Sequence, residues 1–239
     1  MLFHRDRRTT RPETSKSGSD LIRSSRPGQS LPTMPRKAAI VMSGLLIVAM
    51  ARPAAAWPAE AYAGILERAT RTLPAALQQL FTDLDPVFSL PCETTNPVVI
   101  EPAVELAIRE LTSASGDLRL AVRAMREIGC GAAAMNAPSA EAAPDMDRLV
   151  ISQIDNFAVV FYGWHPLIQS GNLGAYLETR TAEHQRLRDR LERTSELPNL
   201  SDQVEMSPEF GIAALAFSHA ITDVANVWMY VWAAVNGAP

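Results

Sequence analysis

Two side chains near the C-terminus of this 239-residue chain are spaced for joint acid–base or metal chemistry. His219 and Asp223 are four positions apart within an almost uncharged run. Side chains four apart share one face of an α-helix, so the pair could chelate a metal ion, or the carboxylate could orient the imidazole as a base. The alternative interpretation is a structural His–Asp hydrogen bond within an apolar helix.

Two further histidines are candidates for the same chemistry, but their surroundings favour other roles. His165 follows Tyr162-Gly163-Trp164 at the end of a helical pattern, where we expect its ring to pack against aromatic neighbours. His184 lies among Arg and Glu residues in the most polar segment, so we expect it to be in solvent. Neither a phosphate-binding glycine loop nor a Gly-x-Ser-x-Gly elbow occurs in the sequence.

The stretch at residues 57–65 (WPAEAYAGI) is the most informative one. It resembles the mature N-terminus of the zinc-dependent bacterial phospholipases C and of the single-strand-specific nucleases that share their helical fold. In that family the terminal amine and carbonyl of a Trp bind zinc, which corresponds to Trp57 here. A His five residues later supplies another ligand in the family, and Tyr62 stands at that position in this chain.

A second stretch, residues 126–136 (REIGCGAAAMN), resembles the family's core motif H-Y-I-G-D-L-x-Q-P-x-H. The three ligand positions of that motif hold Arg126, Cys130 and Asn136. A guanidinium has no lone pair to give to zinc, and an Asn amide is a poor zinc ligand. Cys130 could bind, but a disulfide would remove it.

A third family motif, H-x-x-x-D, falls on residues 151–155 (ISQID), where Asp155 is kept and Ile151 replaces the His. The resemblance implies one cleft that gathers the matching positions: Trp57, Tyr62, Arg126, Cys130, Asn136 and Asp155. Because so few of these can bind zinc, we expect no metal site; zinc is the expected cofactor only if a site is retained.

Residues 34–56 have the order of a cleavable signal peptide. Arg36 and Lys37 precede a 14-residue apolar run at 38–51, and small residues follow at 54–56. A membrane span needs roughly 20 apolar residues, so we predict cleavage after Ala56, no stable span in the mature chain, and a periplasmic or secreted location. An uncleaved anchor is the alternative. Residues 1–33 are predicted to be a disordered or misassigned N-terminal extension.

The predicted mature chain, residues 57–239, is strongly acidic. It holds 12 Arg, no Lys and 23 acidic residues, which gives a net charge of −11. Nucleic acid would be repelled by this charge, so we expect no nucleic-acid partner. Both cysteines lie in this part, and an oxidising compartment would favour a disulfide between Cys92 and Cys130; two buried thiols are the alternative.

Apolar residues recur at helical spacing along residues 57–239, while alternating strand patterns are scarce. We therefore predict an all-α fold with a single multi-helix domain. Asp117 is a plausible N-cap, and the charged segment at 175–195 is expected to be a solvated face. The predicted helices are 59–72, 74–84, 102–112, 118–135, 147–162, 175–195 and 208–235.

These observations favour an exported helical domain of phospholipase C/nuclease-like type that has lost the metal cluster and acts in binding or structure. One alternative is an active metal-dependent phosphodiester hydrolase with a reduced site, made by the Trp57 amine with Asp155, His219 or Asp223. The other is an unrelated exported helical interaction module. The partner is left open by the sequence.

Overall fold

The computed structural model describes residues 57–93, 95–138, 143–195 and 207–237, and in these ranges all regular structure is helical. This confirms the all-α prediction. The N-terminal extension and the signal peptide lie outside the described residues. The helices are α1 (Ala59–Thr70), α2 (Ala75–Asp83), α3 (Asp85–Phe88), a 3-10 turn (Pro97–Val99), α4 (Ile100–Thr112), α5 (Leu118–Ala134), α6 (Ala143–Gln153), α7 (Pro166–Gln169), α8 (Leu173–Ser195) and α9 (Pro208–Asn236).

Several helices begin where the sequence supplies a start signal. The Asp117 carboxylate accepts hydrogen bonds from the backbone N–H groups of Arg119 and Leu120, which confirms it as the N-cap of α5. Ser207 caps α9 in the same way by accepting from the Phe210 N–H. Proline also precedes the first residue of α1 and of α2, where its fixed φ suits a helix entry.

The core forms around α9, which packs against α1, α4, α5 and α8. Trp228 of α9 is fully buried, and its ring lies 5.0 Å from the Phe81 ring, measured between centroids. The lack of a side chain at Gly129 allows α5 to approach this tryptophan. A Cβ at Gly129 would lie 2.7 Å from Trp228 Cζ2 and 2.6 Å from Leu66 Cδ2, so a larger residue would force the helices apart.

Helix α9 is, among the described residues, the one helix long and apolar enough to cross a membrane by length and composition alone. In the fold, however, 67% of its most apolar window is buried against the other helices. A core helix buried in this way meets the same criteria of length and composition.

The predicted disulfide between Cys92 and Cys130 is confirmed, with the two Cα atoms 5.8 Å apart. It joins the loop after α3 to the middle of α5. The Arg126 guanidinium lies one helical turn earlier and donates a hydrogen bond to the Leu90 carbonyl of the same loop. These two contacts fix the loop at residues 90 and 92.

The helix predicted at 147–162 is wrong in its second half, because α6 ends at Gln153 and residues 157–165 are not helical. This segment runs alongside α9, whose polar side chains at every fourth position accept its backbone N–H groups. Ser218 accepts from Val160, Thr222 from Tyr162 and Asn226 from His165. These long-range bonds replace the hydrogen bonds that a continued helix would have made.

Candidate binding site around Asp223

Asp223 of α9 is fully buried, and its carboxylate is surrounded by hydrogen-bond donors. A buried charge is costly unless it is paired and hydrogen-bonded, and here both oxygens are used. Oδ1 accepts from Tyr176 Oη at 2.6 Å and Arg180 Nε at 2.7 Å. Oδ2 accepts from His184 Nε2 at 2.7 Å, Asn136 Nδ2 at 2.9 Å and the second Arg180 amino group at 3.4 Å.

Three of these donors come from α8, where they are spaced four residues apart. Tyr176, Arg180 and His184 therefore share one face of the helix, and that face packs on α9. The prediction that His184 lies in solvent is wrong: the residue is 1% exposed, because the Asp223 carboxylate draws it inward. The prediction that residues 175–195 form a solvated face is therefore correct only in part, because one face of α8 packs on α9. The Tyr-x3-Arg-x3-His spacing is the sequence signal that could have revealed this face.

The electrostatics of the cluster favour an ionised Asp223. Burial alone would raise the pKa of this carboxyl, but the hydrogen bonds and charges of His184 and Arg180 outweigh burial and hold the pKa well below its usual range. Burial and the Asp223 charge together raise the pKa of Tyr176, so its hydroxyl stays a donor. Burial alone would lower the pKa of Arg180, but the charge and hydrogen bond of Asp223, together with the charges of Tyr176 and Glu183, outweigh burial and raise the pKa.

The sequence predicted that Asp223 pairs with His219, but in the structure Asp223 pairs with His184. The His219 ring instead makes an edge contact with Tyr162, at 5.0 Å between centroids, and lies 5.9 Å from the His184 ring. Burial lowers the pKa of His219, and the nearby Arg180 charge lowers it further. His219 Nδ1 is buried without a hydrogen-bond partner among the described residues.

A cavity of about 350 Å³ opens beside this cluster. One wall is the segment after Phe161, which turns at Gly163 with a positive φ of 89° that glycine adopts without strain. The other walls come from α8 and α9. The lining consists of Tyr162, Gly163, Trp164, His165, Pro166, Tyr176, Arg180, Glu183, His219, Thr222, Asp223 and Asn226. As expected for His165, its ring packs against an aromatic neighbour, the Tyr176 ring, at 5.0 Å.

The positions matched to the zinc family lie mostly elsewhere and make structural contacts. Trp57 is buried, and its indole N–H donates to the Ala133 carbonyl at 2.9 Å. Tyr62 is buried beside a larger cavity of about 620 Å³ that α1, α2, α3 and the Cys92 loop line. Asp155 points outward: its side chain is 96% exposed and 3.5 Å from the Arg68 guanidinium.

The residues present do not fit the zinc site that the resemblance implies. Arg126 donates to a carbonyl, Cys130 is in the disulfide, and Asn136 donates to Asp223. Each of these positions is therefore already engaged by another group. In the part of the chain that the structure describes, no cluster of three or more His, Cys, Asp or Glu side chains is arranged to hold a metal ion.

In comparisons with known proteins, no protein-family model, curated protein or solved structure matches the chain.

Proposed function

We propose that this protein is an exported helical domain that binds a small molecule, related to the zinc-dependent phospholipases C and nucleases but without their metal chemistry. One observation carries the proposal. The three core-motif positions that would hold metal ligands in that family, residues 126, 130 and 136, serve here to hold the fold together.

Two of these positions offer no atom that could bind a metal ion, and the third offers only a poor ligand. The Arg126 cation would oppose a metal ion at that place, and the disulfide leaves Cys130 no thiolate to donate. Asn136 donates its amide N–H to Asp223, which leaves only Oδ1 for a metal, and an Asn amide is a poor zinc ligand. A return to metal binding would thus cost stability at residues 126 and 130 and would gain only a weak ligand at residue 136.

A reduced hydrolytic site is supported less well by the geometry. It would need the Trp57 terminus to meet Asp155, His219 or Asp223. Asp155 is a surface residue paired with Arg68, and both Asp223 oxygens are already occupied. His219 lies in the cavity beside α8, whereas the Trp57 indole packs against α5 and α9.

A binding role is supported by the cavity beside Asp223, which combines aromatic walls with a few polar groups, as small-molecule sites commonly do. Export is supported by the disulfide, because such bonds persist in oxidising compartments.

The test is expression of the full chain in an exporting bacterial host supplied with zinc. We expect periplasmic or secreted material whose N-terminus is Trp57, with no stoichiometric zinc and no cleavage of a phosphodiester such as bis(p-nitrophenyl) phosphate. A zinc phospholipase C carried through the same purification is the positive control. One or more tightly held zinc ions per chain, with zinc-dependent cleavage, would overturn the proposal.

A further inference from the structure

The carboxylate that a guest could reach in the cavity beside Asp223 is that of Glu183. The Arg180 guanidinium lies between two carboxylates, donating through Nε and one amino group to Asp223 and through the other amino group to Glu183. Arg180 is thus shared by two carboxylates, and Asp223 has His184 as a second partner. The Asp223 carboxylate is fully buried, whereas the Glu183 side chain is 44% exposed, so Glu183 is the carboxylate on the accessible side.

The remaining titratable groups of the lining add no positive charge that would repel a cation. Burial and the Arg180 charge lower the pKa of His219, so this ring is neutral at neutral pH. His165 uses Nδ1 to accept the Leu167 N–H, and Tyr176 donates to Asp223. His184 also contacts Asp223, but it is not one of the residues that line the cavity. An anionic guest would add a further negative charge beside Glu183 and Asp223.

The walls are unusually aromatic for so small a space. Tyr162, Trp164, His165, Tyr176 and His219 all line the cavity. The Tyr162 ring is nearly perpendicular to the His219 ring and is 53% exposed. The faces of aromatic rings attract cations through their quadrupole, most strongly for Trp and Tyr.

We infer that this cavity binds a small organic cation, an amine with a compact apolar body, whose charge lies between Glu183 and the rings of Tyr162 and Trp164. This names the ligand class for the binding role proposed above and rests on that role. The volume of about 350 Å³ is at the lower end of ligand sites, which limits the guest to a small molecule.

The test uses three probes that share one ring and differ in charge: benzylamine, benzyl alcohol and benzoate. Each is titrated into the full mature protein at neutral pH and followed by calorimetry or by NMR. We expect benzylamine to bind about tenfold more tightly than benzyl alcohol, and benzoate most weakly. Equal binding of the amine and the alcohol, preferential binding of benzoate, or no binding of any probe would overturn the inference.

Matched variants locate the site. Glu183→Gln and Tyr162→Leu change exposed side chains and should each weaken benzylamine binding by about fivefold to tenfold, with little effect on thermal unfolding. Glu67→Gln changes an exposed carboxylate at the larger cavity and should leave binding unchanged. Amine binding that survives both cavity variants, or is lost in Glu67→Gln, would place the site elsewhere.

The two proposals fail separately. A zinc-loaded, hydrolytic protein that still prefers benzylamine would overturn the proposed function and leave the cation site standing. A zinc-free protein that binds none of the three probes would overturn the cation site and leave the proposed loss of metal chemistry standing.

Discussion

Helix α5 is anchored at two places by different chemistry. In its middle, Cys130 and Arg126 hold the loop after α3 through a disulfide and one hydrogen bond. Just beyond its C-terminal end, Asn136 joins the Asp223 cluster, in which a buried carboxylate collects five hydrogen bonds from α8 and from the end of α5. The first anchor is a covalent link between two residues, whereas the second depends on several helices at once.

The difference shows what each kind of anchor specifies. A disulfide limits the distance between two points and acts largely by restricting the unfolded chain. A buried charge also specifies orientation, because each missing donor leaves part of a charge without compensation. The Asp223 cluster therefore selects the face that α8 presents to α9, and hence the shape of the adjacent cavity.

The largest effect is expected from Asp223→Asn. The substitution keeps the size of the side chain but removes the charge that Arg180 and His184 share in a buried place. It also replaces one of the two acceptor oxygens with an NH2 donor, which then faces other donors. Removing one partner of a buried ion pair typically costs about 3–5 kcal/mol. We expect a loss of this size in the free energy of unfolding, measured by urea denaturation.

The matched control for that substitution is Asp155→Asn. Asp155 is also within ion-pair distance of an Arg, but its side chain is 96% exposed, and such pairs contribute about 0–1 kcal/mol. If the two variants lost similar stability, the buried cluster would not be the stronger anchor.

The sequence predicted the elements with strong local signals. The N-cap at Asp117 and the apolar residues that follow it predicted both ends of α5 to within one residue. The long, nearly uncharged run predicted both ends of α9 equally well. The cysteine pair was predicted from the small number of cysteines and an exported location. In each case the determining information lies within one helix or one pair of residues.

The predictions from sequence are wrong where distant residues determine the structure. The 157–165 segment leaves the helix because Ser218, Thr222 and Asn226, about 60 residues away, accept its N–H groups. His184 was predicted to lie in solvent because its partner, Asp223, belongs to another helix. Asp223 itself was a candidate, but its local neighbour His219 was taken as the partner.

The second-largest effect is expected at the disulfide. Replacing both cysteines, Cys92→Ser with Cys130→Ser, opens a loop with a sequence separation of 38 residues. On the chain-entropy model this costs about 3–4 kcal/mol, and urea denaturation in the absence of reductant measures it. Benzylamine affinity should not change, because the cavity lies at the other anchor. A double variant as stable as the natural protein would show that the disulfide is not an anchor.

A smaller effect is expected where α5 meets α9. Gly129→Ala places a Cβ 2.6–2.7 Å from side-chain atoms of Leu66 and Trp228, and overpacking of this kind costs about 1–3 kcal/mol. Gly211→Ala in α9 meets no atom within 4 Å and should instead stabilise by up to about 1 kcal/mol through helix propensity. Thermal unfolding of the two variants should therefore shift in opposite directions, and a shift of the same sign would contradict the close approach of the two helices.

The last prediction concerns pH and separates the two anchors without further substitutions. The folded pKa of Asp223 lies below its unfolded value of about 3.8, so its charge contributes stability above that pH and loses it as the pH falls toward the folded pKa. The stability gap between the natural protein and Asp223→Asn should still have its full size at about pH 5, where Asp223 is ionised in both the folded and the unfolded state. Below about pH 4 it should narrow, by at most about 1.4 kcal/mol per pH unit.

The Asp223→Asn comparison cancels the titration of the other carboxylates, which both proteins share. The gap between the natural protein and the Cys92→Ser/Cys130→Ser variant serves as the control, because disulfide-bonded cysteines do not titrate and that gap should not vary with pH. Urea denaturation at pH 7, 5, 4 and 3 gives both series. A stability gap for Asp223→Asn that widens on acidification would mean that the buried carboxyl is protonated more easily in the folded state than in the unfolded state. The assignment of an ionised Asp223 would then be wrong.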